Sequence, residues 1–311
     1  MLKVSYNLSP DLNKSLERFE NIRKDILSIP LPPSEELRLK REALINRVYL
    51  SLSLEGKPIA KTNIVKILTN DFKKKFSKEE LEIIRYKKTF DYLYWNWLAS
   101  SEKITPKVII ILHEFFTYGA VNIRKTDLEQ MLSYLQQGQE NPLVEAGVAY
   151  FLLLSFSPNN PDNQRLARLF TYLLLYKYGY DIRGLLIFED YWLSDLPDYK
   201  QNVERALSTG NLTLWLEYFT KGINTNLEKI SSRLKTTSKI GFLPKSFGQL
   251  SQRQREILSY LDRPEVNITN KQVQKMFKIS QITASRELAK LVFLALIFSH
   301  GKGRSVYYTK G

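Results

Sequence analysis

The sequence predicts a mainly α protein: a large all-helical domain followed by a small domain of three helices and a β-hairpin. Apolar residues recur at three- and four-residue spacing almost throughout, and alternating strand-like patterns are scarce. At 311 residues the chain has room for one domain of ordinary size and a second, smaller one. Two short β-prone runs close the sequence, one on each side of Gly301-Lys302-Gly303-Arg304, a pattern that predicts a hairpin with a basic tip.

In the large domain, Pro30, Pro32 and Pro33 break the chain after an N-terminal helix. Ser34, with Glu35 and Glu36 behind it, starts a second helix that runs to about Ser53, because a capping hydroxyl followed by acids suits the positive end of a helix. Further helices are expected over residues 62–68, 78–98, 106–116, 124–136, 143–155, 163–178, 199–208 and 212–234. Thr105 before Pro106 is a good start, since proline in the first helical position lacks only an amide that has no partner there. Residues 235–248, rich in Lys, Ser, Thr and Gly, read as a linker. The expected organisation is a helical domain over 1–228, a basic linker over 229–248 and a small domain over 249–311, with no internal repeat.

Composition narrows the function classes. Cysteine is absent, which excludes disulfides and thiolate metal sites. Residues 1–13 lack an apolar core of signal-peptide length and no apolar run approaches membrane-spanning length, so a cytoplasmic protein without a membrane partner is expected. The net charge of +14 is unevenly placed: from Lys229 onward sixteen basic residues face four acidic ones, Glu256, Asp262, Glu265 and Glu287, and the rest of the chain is nearly neutral. A basic terminal module predicts a polyanionic partner.

That module has a compact pattern. Ser251 caps an amphipathic helix closed by Asp262-Arg263-Pro264, Thr269 caps a short second helix that ends at Lys278-Ile279, and Ser280 caps a third through about Val292. The spacing is that of a helix-turn-helix, and with the hairpin it resembles a winged helix-turn-helix. Groove binding needs a short helix whose first half presents small polar side chains to base edges, with cations nearby for phosphates. With Ile282, Leu288 and Leu291 assigned to the core, Gln281, Thr283, Ser285, Arg286 and Lys290 are the expected DNA contacts, and Lys302 and Arg304 those of the wing. His300, with no second ligand close in sequence, is expected to be a surface residue, and no metal site is expected.

The segment from Ser157 to Arg168, Ser-Pro-Asn-Asn-Pro-Asp-Asn-Gln-Arg-Leu-Ala-Arg, lies between two apolar helical runs and resembles, without a gap, the motif His-x-Phe-x-(Asp/Glu)-Gly-Asn-Gly-Arg-x-x-Arg of the Fic (Fido) family. Asn163, Arg165 and Arg168 stand at motif positions. Ser51-Leu-Ser-Leu-Glu-Gly56 resembles the family's inhibitory helix with its Ser-x-x-x-Glu-Gly signature, and Arg41-Glu-Ala, Leu112-His-Glu, residues 119–124 and residues 211–219 resemble further landmarks, together covering about residues 10–225. A C-terminal winged helix is a known companion of this domain.

The resemblance implies a Fic-like helical fold and, for an intact site, transfer of a nucleotide from ATP with Mg2+ to protein hydroxyls. It also implies a degenerate site. Ser157 stands where the family's general base belongs, and a hydroxyl does not titrate near neutral pH. Pro161 replaces the metal-binding acid, Asp162 and Gln164 replace the two glycines, and Asn159 replaces the anchoring phenylalanine, so side chains and a negative charge intrude where phosphate would approach. Asp162, Asn163, Arg165 and Arg168 are the remaining candidates for nucleotide contact. Ser51, Glu55 and Gly56 form the inhibitory signature, with Glu55 expected to pair with Arg168 as a structural ion pair. Tyr199 is expected to be packed rather than ligand-binding, and His113 to be a helix residue satisfied locally. The expected role is a transcriptional regulator that binds double-stranded DNA, with homodimerisation, docking of a protein partner or nucleotide sensing served by the helical body. The alternatives are a nucleotidyltransferase using Asp162 or a water as base, and a protein-interaction scaffold.

Overall fold

A computed structural model of the chain describes residues 4–57, 59–69, 76–117, 123–136, 141–240, 250–261, 266–294, 296–301 and 305–310. Helix dominates. In chain order the helices are α1 (Pro10–Ser28), α2 (Pro33–Leu54), α3 (Lys61–Thr69), α4 (Lys78–Trp97), α5 (Pro106–Glu114), α6 (Lys125–Gln136), α7 (Pro142–Phe156), α8 (Pro161–Lys177), α9 (Glu189–Ser194), α10 (Leu196–Thr209) and α11 (Thr213–Ile240). There follow α12 (Gln252–Tyr260), strand β1 (Asn267–Thr269), α13 (Asn270–Phe277), α14 (Gln281–Phe293) and strands β2 (Ile297–His300) and β3 (Tyr307–Lys310). Among the described residues no helix is long and apolar enough to cross a membrane. The chain divides into two compact units, one formed by Met1–Ser28, Ala43–Leu68 and Phe76–Ser232, the other by Ile29–Glu42, Thr69–Lys75 and Arg233–Gly311.

The centre of the first unit is the hairpin of α7 and α8. Every residue from Leu143 to Leu154 is buried, as are Asn163 and Arg165 to Tyr176, so both helices are enclosed on all sides. Helices α4 and α5 pack on α8, and α6 on α7. Gly147 brings α11 close to α7: a Cβ there would lie 2.8 Å from Leu216 Cδ2, and the Trp215 indole donates to the Gly147 carbonyl at 2.9 Å. The aromatic residues Tyr150, Trp192, Trp215 and Phe219 fill the space beside this contact.

Several helix ends differ from the sequence expectation, each for a local reason. Helix α2 begins at Pro33, not after a Ser34 cap, because the Pro32 carbonyl accepts from the amides of Glu35 and Glu36. Helix α8 begins at Pro161, two residues early, because the Asn160 carboxamide caps it and Pro161 takes the first position. Helix α11 continues to Ile240, past the expected end at 234. The short α9 has no sequence signal of its own; six residues are too few to establish a period.

In the second unit, Ser251 with Gln254 and Thr269 with Gln272 form complete capping boxes, and Ser280 Oγ accepts from the Thr283 amide. The strands form one antiparallel sheet in the order β1-β3-β2, with Tyr308 opposite Ile268 on one side and Ser299 on the other. The sequence predicted β2 and β3 but not β1, which has three residues and finds its partner some forty positions away. Gly301 leaves β2 at φ +92°, where a Cβ would lie 2.3 Å from the Ser305 carbonyl oxygen, so only glycine fits. The small core comprises Leu250, Ile257, Leu261, Ile268, Val273, Ala284, Leu288, Leu291, Leu296 and Ile297. Leu288 and Leu291 face it as expected. Ile282 does not: it is 66% exposed, and Ala284 fills that end of the helix's inner face.

Candidate functional sites

Three helical segments converge on the motif in the first unit. The last turn of α2 supplies Ser51 and the turn just after it Glu55, α4 supplies Glu82 and Tyr86, and α8 supplies Arg165 and Arg168. The Glu55 carboxylate is fully buried between two guanidiniums that are each 3% exposed. Arg165 Nε donates to Glu55 Oε1 at 2.8 Å while its Nη2 donates to Glu55 Oε2 and to Glu82 Oε1. Arg168 Nη2 donates to Glu55 Oε1, and its Nε to Ser51 Oγ at 3.0 Å. Tyr86 is hydrogen-bonded to Ser51 and donates to Glu55 Oε1 at 3.3 Å. Lys57 closes the open side, 3.0 Å from Glu82. The guanidinium of Arg165 also lies over the rings of Tyr86 and Phe116.

The electrostatics follow from this packing. Burial opposes the charge on both arginines, but the fields of Tyr86 and Glu55, joined at Arg165 by that of Glu82, overcome it and hold both guanidiniums above their ordinary range. Burial and then Glu55 push the Tyr86 phenol up to about 12. Burial would raise the Glu82 carboxyl, but Arg165 and Lys57 outweigh it and hold the group below its usual value. The sequence expectation paired Glu55 with Arg168 alone; the carboxylate in fact holds both arginines. Glu82 and Tyr86 were not anticipated. The available signal was their four-residue spacing, with Tyr86 in the buried stripe Ile83, Tyr86, Phe90, Leu93.

The loop before α8 is satisfied from within. Asn160 Oδ1 accepts from the amides of Asp162 at 2.8 Å and Asn163 at 3.3 Å, which are the donors an anion at this helix start would need. The Asn163 side-chain Nδ2 donates back to the carbonyls of Leu153, Leu154 and Ser157, sealing the end of α7, and Gln164 Nε2 donates to the Pro158 carbonyl. Ser157 is the C-cap of α7. Asp162 is exposed in the first turn of α8. The residues present therefore do not fit a magnesium-bound nucleotide: the helix-start amides are occupied by Asn160, both arginines are held by Glu55, and Pro161 offers no metal ligand.

His113 is 7% exposed on α5, edge-on to Phe116. Burial lowers its pKa, against opposition from Asp162 and Glu114. The expectation that it is satisfied locally is corrected, because its Nδ1 makes no hydrogen bond among the described residues. Tyr199 is packed, stacked on Trp192 and hydrogen-bonded to the Tyr150 hydroxyl.

In the second unit, α13 and the loop behind it lead into α14 through Lys278, whose left-handed backbone (φ +50°) closes α13. Gln281, Ser285 and Arg286 are exposed on α14, and Thr283 and Lys290 are half-buried. Ser285 Oγ accepts from Asn270 at 2.8 Å and Thr283 shares a hydrogen bond with Ser280. Lys271, Lys275, Lys278 and Arg286, the exposed charged residues from α13 through α14, are all cationic. The acid among them, Glu287, is turned inward, accepting from Arg253 at 3.0 Å and from Gln254 and Ser251. His300 is half-buried, hydrogen-bonded to Thr309 and stacked on Tyr307. Lys302 and Arg304 lie outside the described residues.

No protein-family model and no curated protein matches the chain. Solved structures do. A Fic family protein from Desulfovibrio desulfuricans G20 is similar with a TM-score of 0.62 at 15% identity, over 99% of this chain and 98% of that one. Fic-1 from C. elegans is similar with a TM-score of 0.59 at 19% identity, over 73% of each chain. With α7 and α8 at its centre and the motif segment between them, the chain has the fold of the Fic family proteins.

Proposed function

We propose that the chain is a DNA-binding regulator, in which α12 to α14 and the sheet act as a winged helix-turn-helix on duplex DNA, carried in the cytoplasm by a Fic-like body whose transferase site is impaired. The observation that carries this reading is the sorting of charge on α13 and α14: cations face solvent, while Glu287 is buried against Arg253. Such a surface suits phosphate, and α14 enters the groove with Gln281, Thr283, Ser285 and Arg286 foremost. Lys290 serves a phosphate further along, and Lys302 and Arg304 serve the wing.

Mobility shifts on duplex DNA across a range of salt test this. Binding is expected at low salt and is expected to weaken steeply as salt rises; Lys290→Ala should weaken all sequences alike and reduce the salt slope by about one. Negligible affinity at low salt would defeat the reading. For the body, incubation with labelled ATP and Mg2+ is expected to give no incorporation, either by the native chain or by Glu55→Gly. Incorporation that disappears on Arg165→Ala would revive the transferase.

A further inference from the structure

Ile282 is the second residue of α14, and its 66% exposure is at odds with its chemistry. An isoleucine side chain favours burial, and the helix beside it closes its core with Ala284, Leu288 and Leu291 instead. Around it, the hydroxyls of Ser285 and Thr283 are hydrogen-bonded at the surface to Asn270 and Ser280. The first turn of α14 therefore presents an apolar side chain, with Arg286 one turn behind on the same side.

The charge around this residue selects its partner. Lys271, Lys275, Lys278 and Arg286, the exposed charges of α13, its closing turn and α14, are all cationic and Glu287 is withdrawn, so the complementary surface is a polyanion that also carries an apolar group. In the major groove that group is the C5-methyl of thymine, since the other base edges there are donors and acceptors. Resting on the DNA-binding reading above, we infer that Ile282 is a specificity-determining residue that packs against a thymine methyl in the major groove.

The test uses the full chain and a duplex enriched from a random pool by repeated selection. Each dT is replaced in turn by dU, which removes one methyl and keeps every hydrogen bond. At least one position is expected to lose about fourfold in affinity, the worth of one buried methyl-sized group. Ile282→Ser, whose melting temperature should match the parent because the side chain is exposed, is expected to bind the dT and dU duplexes alike. Equal affinity of the native chain for every dU duplex would overturn the inference while leaving DNA binding intact. A dT preference that survives Ile282→Ser would also overturn it, as would a dimer that dissociates on Ile282→Ser with the preference unchanged. No enrichment of any duplex would instead defeat DNA binding itself, and the inference with it.

Discussion

Replacing Glu55 by glutamine keeps the shape of the side chain and removes one buried charge. Arg165 and Arg168, each 3% exposed, share that charge. After the change Arg165 still faces Glu82, so the uncompensated charge is chiefly that of Arg168, which keeps the Ser51 hydroxyl. Breaking a buried pair costs about 3–5 kcal/mol, and the surviving Glu82 contact argues for the lower end, about 3 kcal/mol. For a body of this size that corresponds to a fall in melting temperature of about 6–12 °C, read by calorimetry or by dye binding during heating. Glu82→Gln is the internal control: Glu82 is 17% exposed and pairs partly with the exposed Lys57, so its loss should cost about 1 kcal/mol. Adding Arg168→Met to Glu55→Gln removes the stranded cation and should recover a good part of the loss. The reasoning fails if Glu55→Gln melts within a degree of the parent, or if the double variant melts lower than the single one.

Burial would raise the Glu82 carboxyl, but Arg165 and Lys57 hold it below its ordinary value of 4.5, so its contribution is whole above that value and is lost as pH falls through the lower folded value. Acid denaturation curves should therefore lose part of their slope below pH 4.5 in Glu82→Gln, and an unchanged curve would contradict the pairing. Asn160→Ala should cost about 1 kcal/mol in urea denaturation and speed hydrogen exchange at the amides of Asp162 and Asn163. Unchanged protection of those two amides would show that the carboxamide is not their acceptor.

The helical body was legible in the sequence where long periodic segments such as those around α4 and α11 carry many repeats of the same signal. Capping residues fixed Ser251, Thr269 and Ser280 as helix starts for the same local reason. What escaped was non-local or short: β1, defined by a partner far along the chain; α9, shorter than two turns; and Glu82 and Tyr86, whose role depends on where α4 lies against α8. Ile282 escaped for a different reason. Periodicity assigns an apolar residue to the core, but it cannot see that Ala284 already occupies that end of the inner face. The arginine cluster was half legible: the resemblance paired Glu55 with Arg168, yet only the fold shows that Glu55 takes Arg165 as well.

Pro161 and Asp162, which depart from the Fic motif, form a coherent group with Asn160 at the free position before them when read as helix chemistry. Asn160, Pro161 and Asp162 are a capping amide, a first-turn proline and a first-turn acid, which is what the start of a helix favours on its own account. The positive end of α8 is thereby neutralised by its own side chains, and Asn163 and Gln164 turn back to seal the preceding carbonyls. A loop that must hold phosphate leaves those amides open and pays in stability; this one satisfies them and adds a negative charge beside them. On the proposed reading, a serine at 157 and closure of the helix end work in the same direction, so a histidine placed at position 157 alone would supply a proton acceptor to a helix end that Asn160 already occupies.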